Sequence, residues 1–169
     1  EIIVEHFCKK VYMKIGGKAR AMLVTSSIER AIEFYKVITR MLEERNSPYR
    51  AIVAFTDKVI DGKLVTESSL NGFPSAEIES RMEEEPYRIL VVANKYQTGY
   101  DQPLLHTMYV DKQLSSVKAV QTLSRLNRCH PKKQDTFVLD FANDPEVIKQ
   151  SFQEYYKTTV LVGESDVNK

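Results

Sequence analysis

The sequence lacks any apolar run long enough to cross a membrane. A membrane-spanning helix needs roughly 18 such residues, and the apolar runs here are far shorter. The amino terminus also lacks the basic region, apolar stretch and cleavage site of a secretory signal peptide. It does not begin with Met, so we expect a part of a longer protein. We predict a cytoplasmic location and no membrane partner.

Cysteine is scarce. Cys8 and Cys129 lie far apart, and neither belongs to a C-x-x-C pair. His6 near Cys8, and His130 beside Cys129, offer further ligand atoms, but neither pair has the spacing of a structural zinc site. The sequence therefore predicts two free thiols in a reducing compartment and no bound metal.

The motifs of a complete nucleotide-hydrolysing enzyme are absent. No G-x-x-x-x-G-K-[ST] phosphate loop occurs, and "GGKAR" and "GKLVT" do not match it. No strand ends in an acidic pair of the D-E-x-H type that would hold a metal, and no G-x-S-x-G nucleophile elbow is found. The chain alone therefore cannot hydrolyse a nucleotide.

Short apolar runs alternate with amphipathic stretches along the chain. The predicted strands cover 21–25, 51–55, 88–93, 107–111 and 136–141. The predicted helices cover 2–15, the stretch from Ser26 to about Asn46, the acidic residues 75–85, 115–128, and a segment opened by Asp144. Ser26 is predicted to cap its helix in a capping box with Glu29. The polar stretch 57–75 is predicted to be a long loop.

This alternation predicts an α/β fold with three layers, α/β/α, around a mostly parallel sheet. In such folds ligands bind where the strands end. The loops that follow strands 21–25, 51–55, 88–93 and 107–111 are therefore the candidate functional segments.

Positive charge is concentrated in one part of the chain. From Arg88 to Lys133 there are eight Lys or Arg residues against two Asp, although the whole chain has a net charge of only +1. A solvated basic face would explain this segment, and so would a surface that binds phosphates.

The loop "NKYQTGYDQP" carries polar groups suited to a nucleotide or a nucleic acid. Asn94, Lys95 and Thr98 could contact phosphates, and Asp101 could accept hydrogen bonds from sugar hydroxyls. Gly99 would allow the backbone to approach a ligand closely. A simple turn closed by Gly99 and Pro103 is the alternative.

The stretch "VQTLSRLNRCHP" places Arg125 and Arg128 three residues apart, spaced by two leucines that are typical of a core. In a helix these arginines would share one face. They would then either coat the surface or point at an anion.

Together, "ILVVANKYQTGYDQP" and "AVQTLSRLNRCHP" resemble motifs V and VI of superfamily 2 helicases and translocases. The match is closer to the motor (R) subunit of type I restriction enzymes, through "KYQTGYDQPLL", "MYVDK" and "QTLSRLNR". "KARAMLVTSS" resembles that family's motif IV region, and "ESSLNGF" its insertion before motif V. The resemblance covers about residues 15 to 145.

The resemblance implies the second RecA-like domain of a two-domain DNA motor. Residues 16–145 would form this domain, with a leading helix over 1–15 and a helix and linker over 146–169. ATP would bind in the cleft between the two domains, and the first domain, upstream in the same parent chain, would supply the phosphate loop and the Mg²⁺ ligands. The partners implied are double-stranded DNA and the modification and specificity subunits.

The resemblance also implies roles for single residues. Arg125 and Arg128 match the motif VI arginines that stabilise phosphoryl transfer in trans. The implied ATP-contacting residues are Gly99, Asp101 and Gln121, and the implied DNA-contacting residues are Thr25, Ser26, Asn94, Lys95 and Thr98. Ala93 departs from the threonine of many relatives, and Ser124 and Asn127 replace the commoner motif VI glycines. A lobe of another superfamily 2 helicase or remodeller, or a non-catalytic nucleic-acid-binding module, remains the alternative.

Overall fold

The computed structural model describes residues 1–96 and 100–155, and they form a parallel sheet with helices on both faces. The five strands of this sheet run in the order β2-β5-β1-β6-β7, and each neighbouring pair is parallel. Its strands are β1 (Arg20–Thr25), β2 (Arg50–Ala54), β5 (Tyr87–Val92), β6 (Leu105–Asp111) and β7 (Phe137–Asp140). The predicted fold class and all five predicted strands are confirmed.

The helices divide between the two faces of the sheet. The helical elements are α1 (Ile2–His6), a π-helical turn (Phe7–Val11), α2 (Lys14–Gly17), α3 (Ile28–Glu44), α4 (Glu67–Asn71), α5 (Ile78–Arg81), α6 (Ser116–Leu123) and α7 (145–155), with 3-10 turns at Ser75–Glu77 and Ser124–Asn127. Residues of α1 and α3 pack into one core cluster, and residues of α5, α6 and α7 pack into the other. The predicted three layers are therefore present.

The strands lack an apolar–polar alternation because both of their faces are buried. In β1, Ala21 and Leu23 face the cluster with α1 and α3, whereas Met22 and Val24 face the cluster with α5 and α6. All four side chains are fully buried. Strands covered on both sides read as continuous apolar runs, which is why they were predictable.

The prediction of a long loop over 57–75 is wrong. This stretch contains an antiparallel hairpin, β3 (Lys58–Ile60) with β4 (Lys63–Val65), followed by α4. Each hairpin strand has only three residues, and Val59 and Leu64 are exposed, so no apolar pattern marks it. Gly62, at φ 76, sits in the turn and supplies the left-handed backbone needed there.

The amino-terminal helix is less regular than the prediction of one helix over 2–15. It passes from α1 into the π-helical turn and ends where Ile15 adopts φ 52 and Gly16 φ 63. A Cβ on Gly16 would lie 2.7 Å from Cδ of Lys132. The glycine therefore allows the segment just before β1 to lie close to Lys132, which precedes β7.

Two helix boundaries also differ from the predictions. Ser27, not Ser26, caps α3, and its hydroxyl accepts a bond from the Arg30 amide. Helix α6 ends at Leu123 and continues only as a 3-10 turn, so the predicted helix over 115–128 is too long. Val117, an apolar residue of this helix, is 60% exposed.

The predicted start of the last helix is confirmed. Asp144 accepts a bond from the Glu146 amide, and α7 begins at the next residue, Pro145. Among residues 1–96 and 100–155, no helix is both long and apolar enough to span a bilayer.

Candidate functional site

The predicted site residues lie at two opposite edges of the parallel sheet. We call the side where β1 begins, at Arg20, the amino edge, and the side where β1 ends, at Thr25, the carboxyl edge. Six residues at a rise of about 3.3 Å each separate the two edges by roughly 17 Å. The predicted DNA-contacting residues that the structure describes lie at the carboxyl edge, and the two arginines lie at the amino edge.

At the carboxyl edge, Thr25 joins two strands. Its hydroxyl lies 2.9 Å from the carbonyl oxygen of Val92 and 3.1 Å from that of Ser27, and the side chain is buried. Ser26 is exposed at the same turn. Of these two predicted contact residues, only Ser26 therefore presents its side chain to solvent.

Asn94, which follows β5, lies beside a lysine that follows β6, two strands away in the sheet. Its backbone adopts a left-handed φ of 53, and its side-chain oxygen accepts a bond of 3.3 Å from Nζ of Lys112. Burial, and then the charge of Lys118, lower the pKa of Lys112. Lys112 follows β6 and was in a predicted functional loop, although it was not among the predicted contact residues.

Lys95 is anchored by a buried carboxylate that the sequence did not reveal. Its Nζ lies 2.5 Å from Oε1 of Glu67, and the other oxygen of that carboxylate accepts a bond of 2.7 Å from the Phe55 amide. Glu67 is only 2% exposed. Glutamate is almost never fully buried unless it is paired, so no pattern in the sequence indicates this burial.

The loop between β5 and β6 connects the two edges. It leaves the carboxyl edge at Asn94 and reaches the amino edge at Tyr100, which is buried and packs 5.3 Å from the ring of Tyr96. The predicted site residues Thr98 and Gly99 lie outside the described residues.

At the amino edge, the two arginines converge on the end of this loop. Nε of Arg128 donates to Oδ1 of Asp101 at 3.1 Å, and both side chains are more than half exposed. Nη1 of Arg125 donates to the Tyr100 carbonyl oxygen at 3.4 Å. Burial and the charge of Arg128 lower the pKa of Arg125, while Asp101 opposes them. The cluster therefore brings two guanidinium groups close to one carboxylate.

The arginines converge in a different way from the one predicted. Arg125 lies in the 3-10 turn, but Arg128 follows it in extended backbone at φ −72 and ψ 132. The predicted shared helix face is therefore wrong, although the two guanidinium groups still lie at one site. Gln121 is exposed one turn earlier, on α6, and no described contact joins it to this cluster.

The chain is similar to known subunits of one enzyme class. Residues 62–143 match the family model described as type I restriction enzyme subunit R domain 3. The resemblance to the R subunit of type I restriction enzymes is confirmed. A putative type I restriction enzyme MjaIXP endonuclease subunit from Methanocaldococcus jannaschii is 30% identical over 158 residues, which cover 90% of this chain. The HindI endonuclease subunit from Haemophilus influenzae is 24% identical, over 92% of the chain.

The chain spans only about one-seventh of the length of these R-subunit relatives, 14% and 15%. Two solved structures show its fold. The C-terminal domain of the DEAD-box protein Dbp5 has a TM-score of 0.52 at 13% identity and covers 92% of this chain and 76% of its own. The C-terminal part of the Fun30 ATPase domain has a TM-score of 0.54 at 10% identity, covering 89% of this chain and 44% of its own. The fold is that of a RecA-like helicase C-terminal domain.

The described residues bring guanidinium groups together, but they contain no set of metal ligands. Among residues 1–96 and 100–155, no group of three His, Cys, Asp or Glu side chains could hold a metal. The guanidinium groups of Arg125 and Arg128, by contrast, match the geometry of phosphate oxygens.

Proposed function

We propose that this chain is the second motor lobe of a type I restriction enzyme R subunit, an ATP-dependent double-stranded DNA translocase. In this proposal the amino edge completes an ATP site in trans, and the carboxyl edge grips the DNA backbone. The observation that carries the proposal is the convergence of Arg125, Arg128 and Asp101 at one exposed cluster. The fold and the named relatives support it.

The amino-edge cluster suits stabilisation of charge during phosphoryl transfer. ATP would supply the bond that is broken, and the upstream RecA-like lobe would supply the phosphate loop and the Mg²⁺ ligands. The contact at Nε uses one of the five donors of the Arg128 guanidinium. Asp101 thereby fixes the plane of the group, and the Nη donors remain available for phosphate oxygens. An arginine in this role accelerates hydrolysis by ~10³ to 10⁵.

The carboxyl edge suits the DNA backbone. Ser26 and Lys112 offer a hydroxyl and an ammonium group, and Lys95 offers a cation whose position is fixed by Glu67. Contacts to phosphates position a protein on DNA but carry no sequence information. The specificity and modification subunits would therefore provide target recognition, and we propose that the assembly works in the cytoplasm.

The test is Arg128→Ala in the full-length R subunit. We expect the kcat of DNA-stimulated ATP hydrolysis to fall about 10³-fold or more, with KM changed little, because the lost contact acts mainly in the transition state. Arg128→Lys should not restore the rate, because an ammonium lacks the planar fork. Arg40→Ala, which removes an exposed arginine on α3, serves as the matched control. Arg125→Ala is expected to act in the same direction.

Normal DNA-stimulated turnover in a stable Arg125→Ala/Arg128→Ala double variant would contradict the assignment. Loss of turnover that only parallels a loss of folded protein would support a structural role for the arginines. Thermal unfolding of each variant, measured beside its kinetics, separates these results.

A further inference from the structure

Lys133 ties together the backbone segments that carry the amino-edge cluster. Its Nζ donates to the Leu126 carbonyl oxygen at 2.5 Å and to the Arg128 carbonyl oxygen at 2.9 Å. A longer contact of 3.4 Å reaches the Pro103 carbonyl oxygen. An ammonium group has three donors, so these three carbonyls match its full capacity.

The contacts fall where the backbone most needs a partner. The last carbonyl oxygens of a helical segment accept no hydrogen bond from within the helix. The 3-10 turn ends at Asn127, so its final carbonyls need another donor. A lysine near a helix end satisfies such carbonyls. Here one ammonium holds Leu126, the last buried residue of the turn, together with Arg128, which has already left it.

The same group also holds the other half of the arginine–aspartate pair. Pro103 lies two residues after Asp101, in the loop that ends at β6. Lys133 therefore bridges the backbone of Arg128 to the backbone that carries its carboxylate partner. Burial lowers the pKa of Lys133, because desolvation disfavours the charged ammonium.

We propose that Lys133 is a positioning residue for Arg128. It does not touch a phosphate; its ammonium fixes where the Arg128 main chain lies relative to Asp101. This inference rests on the proposed role of Arg128 in the shared ATP site. The competing view is that Lys133 only stabilises the end of the 3-10 turn that follows α6.

The two views differ in their kinetic consequence. A displacement of about 1 Å in a group that acts on the transition state costs ~10²-fold in rate. Loss of a positioning residue should therefore lower kcat and leave KM nearly unchanged. Loss of a helix-terminal contact alone should lower the melting temperature without changing the kcat of the folded enzyme.

The experiment compares Lys133→Met and Lys132→Met in the full-length R subunit. The neighbouring Lys132 is exposed, so its variant makes the same change in charge at the same segment. We expect Lys133→Met to lower the kcat of DNA-stimulated ATP hydrolysis between ~10-fold and ~10²-fold, with KM within about twofold. Lys132→Met should retain the kcat. Lys133→Gln, which keeps amide donors for the carbonyls, should lose less than Lys133→Met and serves if that variant does not fold.

The double variant Arg128→Ala/Lys133→Met identifies the mechanism. If Lys133 acts through Arg128, the double variant should be no slower than Arg128→Ala, because coupled residues are non-additive. Multiplying losses, or an unchanged kcat in both Lys133→Met and Lys133→Gln, would overturn the inference. If Arg128→Ala itself retains turnover, the proposed ATP site fails. If only the Lys133 variants retain turnover, the proposed site stands and the positioning role fails.

Discussion

At the scale of single residues, the arginines form two classes that the sequence does not separate. Arg20 and Arg88 are buried, with 2% and 3% exposure, whereas Arg128 has an exposed side chain. Arg88 donates to three carbonyl oxygens and to Glu85, and its guanidinium lies 4.7 Å from the ring centroid of Tyr49. Burial and the charge of Arg88 lower the pKa of Arg20, and the charge of Glu85 acts in the opposite direction. Arg20 and Arg88 are therefore structural, whereas the exposed side chain of Arg128 can reach a ligand.

This difference predicts unequal losses of stability for two arginine substitutions. Arg88→Met should reduce the free energy of unfolding by about 3–5 kcal/mol, because it leaves buried carbonyls and Glu85 without their cation. Arg128→Met removes an exposed ion pair, and such pairs are worth about 1 kcal/mol or less. Urea unfolding of this chain and its two variants measures both values. Equal destabilisation would contradict the division into structural and functional arginines.

At the scale of elements, the buried strands were predictable and the edge elements were not. The strands follow from apolar runs whose composition reflects burial on two faces. The hairpin over 58–65 has no such pattern, because main-chain pairing holds its two strands together and its apolar side chains are exposed. The cap of α3 was misplaced by one residue because Ser26 precedes Glu29 at capping-box spacing, whereas Ser27 precedes Arg30. Whether a polar side chain is exposed, and which group it binds, depends on residues that are distant in the sequence. Local sequence patterns therefore do not predict these contacts.

The candidate site shows the same limit. The motifs predicted which residues to consider, and the structure brings Arg125, Arg128 and Asp101 together. The resemblance assigned these three residues to an ATP site, and that role stays a prediction. The contacts of Glu67 with Lys95, and of Lys133 with Arg128, were not predicted. Each of these contacts joins segments that no motif relates. Side-chain partners across the fold therefore required the structure.

The element after the hairpin protects an edge of the sheet. Within the described parts of the chain, strand β2 has no neighbouring strand on its outer side. There the Asn71 side chain, from the end of α4, accepts a bond of 2.9 Å from the Val53 amide and donates one of 2.7 Å to the Val53 carbonyl. The Glu67 carboxylate accepts from the Phe55 amide. These side chains replace the missing strand, and natural proteins cover exposed edges in this way to prevent aggregation.

Asn71→Leu should therefore destabilise the chain and promote its association. The change keeps a similar side-chain volume but leaves the amide and carbonyl of the buried Val53 without partners. We expect a loss of about 1–3 kcal/mol, measured by urea unfolding. Sedimentation velocity should show concentration-dependent association through the uncovered edge. A variant that is as stable as the unsubstituted chain, and that associates no more than it does, would contradict the edge-covering role of α4.

At the scale of the whole molecule, one parallel sheet carries both proposed contacts. The loop from Asn94 to Asp101 begins at the carboxyl edge and ends at the amino edge. Glu67 holds this loop near its start, and Lys133 holds it near its end. In the proposed motor, a shift of the lobe against its upstream partner would therefore move the DNA contacts and the ATP contacts together. The sheet, rather than a flexible hinge, would transmit the movement.

This arrangement predicts weak, salt-sensitive DNA binding through the carboxyl edge. Few cations face that edge, so the slope of log K against log salt for a non-specific duplex should lie between about −1 and −4. Lys112 contacts the neutral side chain of Asn94, so its charge is not neutralised by that contact. Lys112→Met should make the slope shallower by about 0.9 if it contacts one phosphate. Lys36→Met, at an exposed position of α3, should leave the slope unchanged.

Fluorescence anisotropy with a labelled duplex, repeated over a series of salt concentrations, measures these slopes. A sequence-specific complex that does not weaken with salt would be incompatible with a lobe that follows the DNA backbone. Equal slopes for the Lys112→Met and Lys36→Met variants would move the DNA contact away from the carboxyl edge. A contact at the amino edge instead would place DNA and ATP in competition for the same arginines, and a motor that must bind both at once could not work in that way.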